Sequence, residues 1–137
     1  MQRNMLKGKI HGATVTDANV AYEGSITIDA DLMEASNVVP HEQVSVWSLT
    51  SGERLETYAI PGKPGTGEIC INGAAAHKIR KGEAVIIATF AWLEEAELRG
   101  HLPRVVFVDG RNRIKGSSRR SGHGESLGQA LPADGNR

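Results

Sequence analysis

The chain has 137 residues, 16 basic and 16 acidic side chains, and only 4% aromatic residues. This length fits one domain, and the zero net charge excludes a globally basic nucleic-acid binder. The single cysteine, Cys70, excludes an internal disulfide and a cysteine-rich metal site, and we expect it to be a small buried apolar side chain. No leader-like segment and no run approaching 18 apolar residues is present, so we expect a cytoplasmic protein that does not span a membrane.

The first 60 residues carry mostly strand patterns. β-Branched residues and alternation of apolar and polar side chains predict strands, Asp29 is a candidate helix N-cap, and Ser51-Gly52 is typical of a hairpin turn. The predicted elements in chain order are a strand over Met5–Val15, a strand over Ser25–Asp29, a short helix over Asp29–Ser36, and hairpin strands over Gln43–Thr50 and Glu53–Ile60.

The second half continues this pattern after a glycine-rich loop at 62–67. The predicted elements are a strand over Glu68–Ile71, a turn with one helical turn over 72–77, a buried strand over Ala84–Ala91 and a last strand over Arg104–Val108. Short strands with brief helices indicate a mainly β barrel over residues 1–110. Residues 111–137 have almost no apolar content, which predicts a disordered basic and polar tail.

Part of this tail has a second interpretation. Residues 111–120 contain five basic residues and no acidic residue. Such a run can bind a phosphate backbone, although a solvated tail is the more ordinary structure for it. We therefore do not expect nucleic acid as a partner, and loss of salt-sensitive retention on tail truncation would indicate otherwise.

No zinc-ligand spacing, phosphate-binding loop or dinucleotide fingerprint is present, so we expect no metal. Strand geometry places Lys9 and His11 on one face, and Arg54, Glu56 and Tyr58 on one face of the second hairpin strand. Either these faces turn toward one cavity and form a site, or they are solvated surfaces. Thr57 points to the opposite side of the strand from Tyr58. If both residues act, the site has a second face or is shared between subunits.

The dipeptide Gly24-Ser25 also has two interpretations. A glycine directly before a strand is usually a turn residue with positive φ. Alternatively, Ser25 attacks the carbonyl of Gly24, the amide becomes an ester, and β-elimination followed by hydrolysis leaves a pyruvoyl group. Glycine suits that reaction because it tolerates a strained turn and shields its carbonyl little. The dipeptide alone does not decide between them.

In combination, several segments resemble the pyruvoyl-dependent aspartate 1-decarboxylase family of bacteria. The resemblance is collinear from about residue 5 to residue 110, and the most specific strings are Tyr22-Glu23-Gly24-Ser25, Glu56-Thr57-Tyr58 and Asn72-Gly73-Ala74-Ala75-Ala76-His77. The chain departs from the family pattern in the loop Gly62-Lys63-Pro64-Gly65-Thr66-Gly67 and at Ala21, where we expect loop contacts and the maturation rate to differ.

The resemblance implies a double-psi β-barrel, a homotetramer with sites between subunits, and self-cleavage into a β chain of residues 1–24 and an α chain from residue 25. A maturation factor is a possible further partner. The implied reaction decarboxylates L-aspartate to β-alanine through an imine with the pyruvoyl cofactor, which supplies pantothenate and coenzyme A synthesis. The main alternative is a non-enzymatic β-barrel binding module in which Gly24-Ser25 is only a turn.

The resemblance also implies roles for individual residues. Ser25 becomes the pyruvoyl group after cleavage at Gly24, and Tyr58 is the proton donor. The remaining implied residues are Thr57, Gly73, Ala74, Ala75, Arg54 and Lys9 for substrate binding, and Gly24, His11, Thr57 and Asn72 for maturation.

Overall fold

A computed structural model describes residues 1–119, with side chains as far as Gly116. This part of the chain folds into a mainly β structure with two short α-helices and one 3-10 helix at Gly73–His77. The strands are β1 (Gln2–Thr14), β2 (Asp17–Asn19), β3 (Ser25–Asp29), β4 (Gln43–Ser48), β5 (Arg54–Gly62), β6 (Ile69–Asn72), β7 (Ala84–Glu94), β8 (Arg104–Val108) and β9 (Ile114–Arg119), and the α-helices are α1 (Ala30–Ala35) and α2 (Glu95–Leu98).

The mainly β prediction is confirmed, and most predicted elements are present. β4 and β5 form the predicted antiparallel hairpin. Asp29 caps α1, because its side chain accepts a hydrogen bond of 2.8 Å from the backbone N–H of Asp31. The sequence analysis missed β2 and α2, which have three and four residues respectively and are too short for a periodic pattern.

All nine described strands belong to one sheet of order β2-β6-β3-β5-β4-β7-β1-β8-β9. β2 lies at one end of this order and β1 is six strands away, yet only Val15 and Thr16 separate them in the chain. Hydrogen bonds from Val15 N–H to Glu83 O and from Thr16 N–H to Ile69 O fix this short connection. The sheet must therefore curl back on itself, as it does in a barrel.

The core lies inside the curled sheet and consists mainly of β-branched aliphatic residues. Ile26 and Ile28 of β3 and Ile69 and Ile71 of β6 are fully buried. Because side chains alternate across a strand, the residues between these isoleucines point to the opposite side of β3 and β6. That second side carries the polar residues of the candidate site.

The tail prediction is wrong for residues 111–119. β9 pairs antiparallel with β8, so Arg104–Val108 is not the last strand. Asn112 is buried and holds this segment through hydrogen bonds to Thr14 N–H, Thr14 O and Gly67 O. A segment of low apolar content is thus ordered by polar contacts rather than by hydrophobic burial. The rest of the predicted tail, 120–137, lies outside the described residues.

Within residues 1–119, none of the helices has the length and apolar character needed to cross a membrane.

Candidate active site

The candidate site is centred on Ser25, the first residue of β3. Its side chain is buried, with 1% of the residue exposed. Its φ angle is +119°, a region that residues with a side chain rarely adopt. Gly24 has no positive φ angle, so the strain falls on the serine rather than on the glycine that the sequence analysis expected to carry it. Such strain costs on the order of 1–3 kcal/mol and is typical of functional positions.

Strand pairing brings two other predicted residues to Ser25. β3 lies between β5 and β6 in the sheet. Ser25 is directly opposite Asn72 in the antiparallel pair with β6. In the parallel pair with β5, Ile26 is opposite Ala59, which places Tyr58 at the level of Ser25. Residues 25, 58 and 72 thus converge although they are far apart in the chain.

The Asn72 side chain is buried and touches the serine oxygen directly. Its amide nitrogen donates to Ser25 Oγ at 3.0 Å and to Thr27 Oγ1 at 3.0 Å. The amide oxygen accepts from the Cys70 thiol at 3.2 Å. Burial is the largest of the causes that raise the pKa of the Cys70 thiol, followed by the nearby carboxylates of Asp17 and Glu68. The thiol therefore stays protonated and can donate.

Tyr58 contacts the bond on the other side of Ser25. Its hydroxyl donates a hydrogen bond of 3.3 Å to the carbonyl oxygen of Gly24. The ring stacks on His41 with centroids 6.4 Å apart and planes inclined by 26°. Tyr58 is 40% exposed, so the phenol is open to solvent while it contacts the carbonyl of Gly24.

Gly73 packs against the backbone of Gly24. A Cβ atom at Gly73 would lie 2.8 Å from Gly24 Cα and 3.1 Å from Tyr22 O, distances at which backbone would have to shift. Gly73 also has a φ angle of +74°. A residue without a side chain is therefore required here for two independent reasons. Ala74 is exposed and Ala75 is half-buried at the start of the 3-10 helix.

Two predicted site residues, Lys9 and His11, lie on β1. This strand pairs with β7 and β8 rather than with β3 or β5. They share the face opposite the buried Ile10, as predicted, and the ring of His11 lies 5.7 Å from that of Phe107.

Arg54 begins β5, and its guanidinium lies 4.5 Å from the centroid of the Trp47 ring. Tyr58 is four positions further along the strand, which corresponds to about 13 Å. Thr57 is half-buried and pairs with Val44 of β4. The structure therefore brings Gly24, Ser25, Tyr58, Asn72 and Gly73 together, and strand pairing does not bring Arg54 to them.

Thr27, Cys70 and His41 also contact the site and were not predicted from the sequence. Cys70 was expected to be a buried apolar side chain, whereas the thiol is partly exposed and bonded to Asn72. One pattern could have revealed two of the three. Residues 25 and 27 share a face of β3, and residues 70 and 72 share a face of β6, so correct strand register predicts one polar cluster.

Comparison with known proteins decides the family. The model of the aspartate decarboxylase family matches residues 1–115. This chain belongs to the aspartate decarboxylase family. Aspartate 1-decarboxylase of Myxococcus xanthus is 57% identical over 114 residues, covering 83% of this chain and 88% of that protein. The proteins of the same name from Syntrophus aciditrophicus and Paraburkholderia xenovorans are 55% and 54% identical over 115 and 118 residues, covering 84% and 85% of this chain and 99% and 92% of theirs.

The range matched by the family model includes both the candidate site and part of the predicted tail. The matched range ends at residue 115, so it includes Asn112 and the beginning of β9. For this family member, the ordered unit therefore extends past the boundary at 110 that composition alone predicted.

Proposed function

We propose that this chain is an aspartate 1-decarboxylase that converts L-aspartate to β-alanine and carbon dioxide with a pyruvoyl group made from Ser25. The observation that carries the proposal is the conformation of Ser25. It has a positive φ angle, its oxygen accepts from Asn72, and the preceding carbonyl accepts from Tyr58. A turn serine of a binding module needs none of these contacts. The resulting β-alanine would supply pantothenate and coenzyme A synthesis.

The proposed maturation begins with an acyl shift at the Gly24–Ser25 bond. Ser25 Oγ bonds to the Gly24 carbonyl carbon, the C–N bond breaks, and the hydroxyl proton passes to the released nitrogen. Loss of the Cα proton of residue 25 then expels the Gly24 carboxylate from Cβ and leaves a dehydroalanine. Addition of water releases ammonia and leaves the ketone, giving chains 1–24 and 25–137.

The local structure supports the first step in three ways. The strained φ angle of Ser25 raises the energy of the intact chain, and cleavage relieves it. The Asn72 amide donates to Oγ, which orients this oxygen and favours the loss of its proton as it attacks. The Tyr58 hydroxyl donates to the Gly24 carbonyl, where negative charge develops in the tetrahedral intermediate.

Tyr58 is also the best-placed acid for the decarboxylation. The pyruvoyl ketone would act as an electron sink for the carbanion that forms at Cα when carbon dioxide leaves. The chain must then return a proton to that carbon. The Tyr58 hydroxyl adjoins residue 25 and is partly exposed, so it can reach the carbon and be reprotonated from solvent.

The substrate carries two carboxylates, and we propose that Arg54 and Lys9 bind them. A guanidinium can grip a carboxylate through two hydrogen bonds, whereas an ammonium offers a point charge. Backbone N–H groups of Gly73, Ala74 and Ala75 add donors beside Gly24, with no large side chains to exclude a ligand. No side chain caps the first turn of this 3-10 helix, because the Asn72 amide is directed to Ser25 and Thr27.

The distance of Arg54 from Tyr58 along β5 supports a site completed by a second subunit. We propose a homotetramer with sites between subunits. Exposed Trp92 and Phe90 line a surface cavity of about 370 Å³, together with Asn4 and Glu56, and such a surface suits contact with another copy. Mixing Ser25→Ala protein with Arg54→Ala protein should restore part of the activity. If the two inactive variants form mixed oligomers and stay inactive, the shared site is excluded.

Three finer features are also proposed for this chain: its barrel type, a partner and its location. The parallel pairs β1–β8, β2–β6 and β3–β5, set among antiparallel neighbours, support a double-psi barrel. We also propose a maturation factor as a further partner, and we expect the protein to act in the cytoplasm.

Formation of β-alanine from L-aspartate by the purified full-length protein tests the proposed reaction. Ser25→Ala is the control, because it lacks only the precursor hydroxyl. We expect β-alanine from the wild type only. Equal β-alanine formation by both proteins would exclude Ser25 as the source of the catalytic group.

A further inference from the structure

Four side chains form a continuous polar row on the face of β3 and β6 that points away from the core. Ser25 is opposite Asn72, and Thr27 is opposite Cys70 in the antiparallel register. Hydrogen bonds connect all four, since Asn72 donates to both hydroxyl oxygens and accepts from the thiol. Thr27 and Cys70 have no role in the reaction proposed above.

Thr27 and Cys70 determine which way the Asn72 amide points. Its two N–H groups face two oxygens, and its carbonyl faces the S–H group. A rotation of the amide by half a turn would direct its carbonyl at the two hydroxyls and its N–H groups at sulfur, which is a weak acceptor, and would leave no N–H group for Ser25 Oγ. Asn72 is 3% exposed, so water offers little replacement for a lost acceptor. The observed orientation is therefore the one in which both N–H groups have oxygen acceptors.

We propose that Thr27 and Cys70 are positioning residues for self-cleavage: together they hold the Asn72 amide so that its N–H group points at Ser25 Oγ. This inference rests on the proposed function, because it concerns the same cleavage. Thr27 binds one N–H and leaves the other for Ser25, while the Cys70 thiol holds the carbonyl oxygen away from it. Neither residue touches the reacting atoms, and both act through Asn72.

The polar atom of each residue, rather than its size, is what the proposal requires. Thr27→Val and Cys70→Ala remove the hydroxyl and the thiol, whereas Thr27→Ser and Cys70→Ser keep an O–H group at each position. One lost hydrogen bond of ordinary strength corresponds to a rate change of about two- to tenfold. We expect the first pair to slow cleavage by about that factor and the second pair to cleave close to the wild-type rate.

The experiment follows the appearance of the two chains by intact-protein mass, starting from freshly purified full-length precursor. Melting temperatures of the same four substitutions are measured in a Ser25→Ala background, where cleavage cannot change the fold. We expect these temperatures to fall by no more than the few degrees that one lost hydrogen bond costs a domain of this size, so that the precursor stays folded. In an Asn72→Ala background we expect Thr27→Val and Cys70→Ala to cause no further slowing, because the group that they position is gone.

Each alternative outcome is distinct. If the wild type cleaves and all four variants cleave at its rate, the positioning role is excluded and the proposed function stands. If the serine variants are slowed as much as Thr27→Val and Cys70→Ala, the effect is one of packing and the positioning role is again excluded. If the wild type itself stays intact and yet forms β-alanine, the pyruvoyl mechanism fails and this inference fails with it.

Discussion

The hydroxyl of Tyr58 donates a hydrogen bond to the carbonyl oxygen of Gly24 across 3.3 Å, although 34 positions separate the two residues. The parallel pairing of β3 with β5 creates this contact. It places one phenol beside both the bond to be cleaved and the residue that becomes the catalytic group. Tyr58 can therefore affect maturation and turnover, and the two effects differ in size.

Tyr58→Phe should separate these two effects. A single long hydrogen bond to a carbonyl contributes little, so we expect cleavage to slow by less than about tenfold. Loss of the general acid should reduce kcat by about 10²- to 10⁴-fold. Both are measured on the same preparation, cleavage by intact mass and turnover by β-alanine formation. A fully cleaved Tyr58→Phe protein with normal kcat would remove Tyr58 from the acid role.

Gly73→Ala should impair cleavage, because the new methyl group would collide with the backbone of Gly24. The left-handed φ angle adds a penalty of about 1–2 kcal/mol to folding. We expect an unfolding free energy lower by at least that amount and a slower appearance of the two chains, measured by denaturant titration and by mass.

Gly52 provides a matched control for this substitution. It also has a positive φ angle, +84°, but no atom lies within 4 Å of an added Cβ, so Gly52→Ala tests the backbone penalty alone. If Gly52→Ala slows cleavage as much as Gly73→Ala, the contact with Gly24 is not the cause.

Asn112 lies in the segment that composition assigns to a tail, yet Asn112→Ala should destabilise the fold. The substitution leaves Thr14 N–H, Thr14 O and Gly67 O without their side-chain partner in a buried place. We expect a loss of about 2–4 kcal/mol in the free energy of unfolding, measured by urea titration. The neighbouring exposed Arg111, changed to alanine, should alter it by less than about 0.5 kcal/mol. Equal stability of both variants would show that this segment is not anchored by Asn112.

Asp109 should make the turn before β9 sensitive to acid. Hydrogen bonds from the backbone N–H groups of Arg113 and Arg111 lower the pKa of its carboxyl from the ordinary value of 3.8, and the two nearby guanidinium charges lower it further. A lowered pKa means that the stabilisation is fully present above pH 3.8 and is lost as the pH falls through the folded-state pKa. Asp109→Asn should therefore melt below the wild type at neutral pH, and this difference should shrink under acid. A difference that is constant from neutral pH to below pH 3.8 would contradict this assignment.

Much of the architecture was accessible from the sequence, because period-two patterns and turn residues mark the longer strands. Ser25–Asp29 and Arg104–Val108 were predicted with the bounds that the structure shows. The predicted hairpin around Ser51-Gly52 is also present. What composition could not predict is β9, since its order depends on pairing with β8 and on polar contacts of Asn112. Such long-range polar contacts leave no local apolar pattern.

The candidate site was accessible only in part. The family resemblance supplied Ser25, Tyr58, Asn72 and Gly73, which the structure brings together. It supplied Arg54 as well, which the structure places over Trp47. Thr27 and Cys70 were not predicted because their hydrogen bonds to Asn72 depend on the register between β3 and β6. This register is a property of the assembled sheet.

The central claim is that Ser25 is destroyed to make the catalytic group, and the intact mass of the purified full-length protein tests it most directly. We predict two chains that separate after Gly24, the larger one lighter than a fragment beginning with serine by the mass of ammonia. Ser25→Ala should give one uncleaved chain. A single mass equal to the whole sequence in an active preparation, or a cleaved and active Ser25→Ala protein, would contradict the claim.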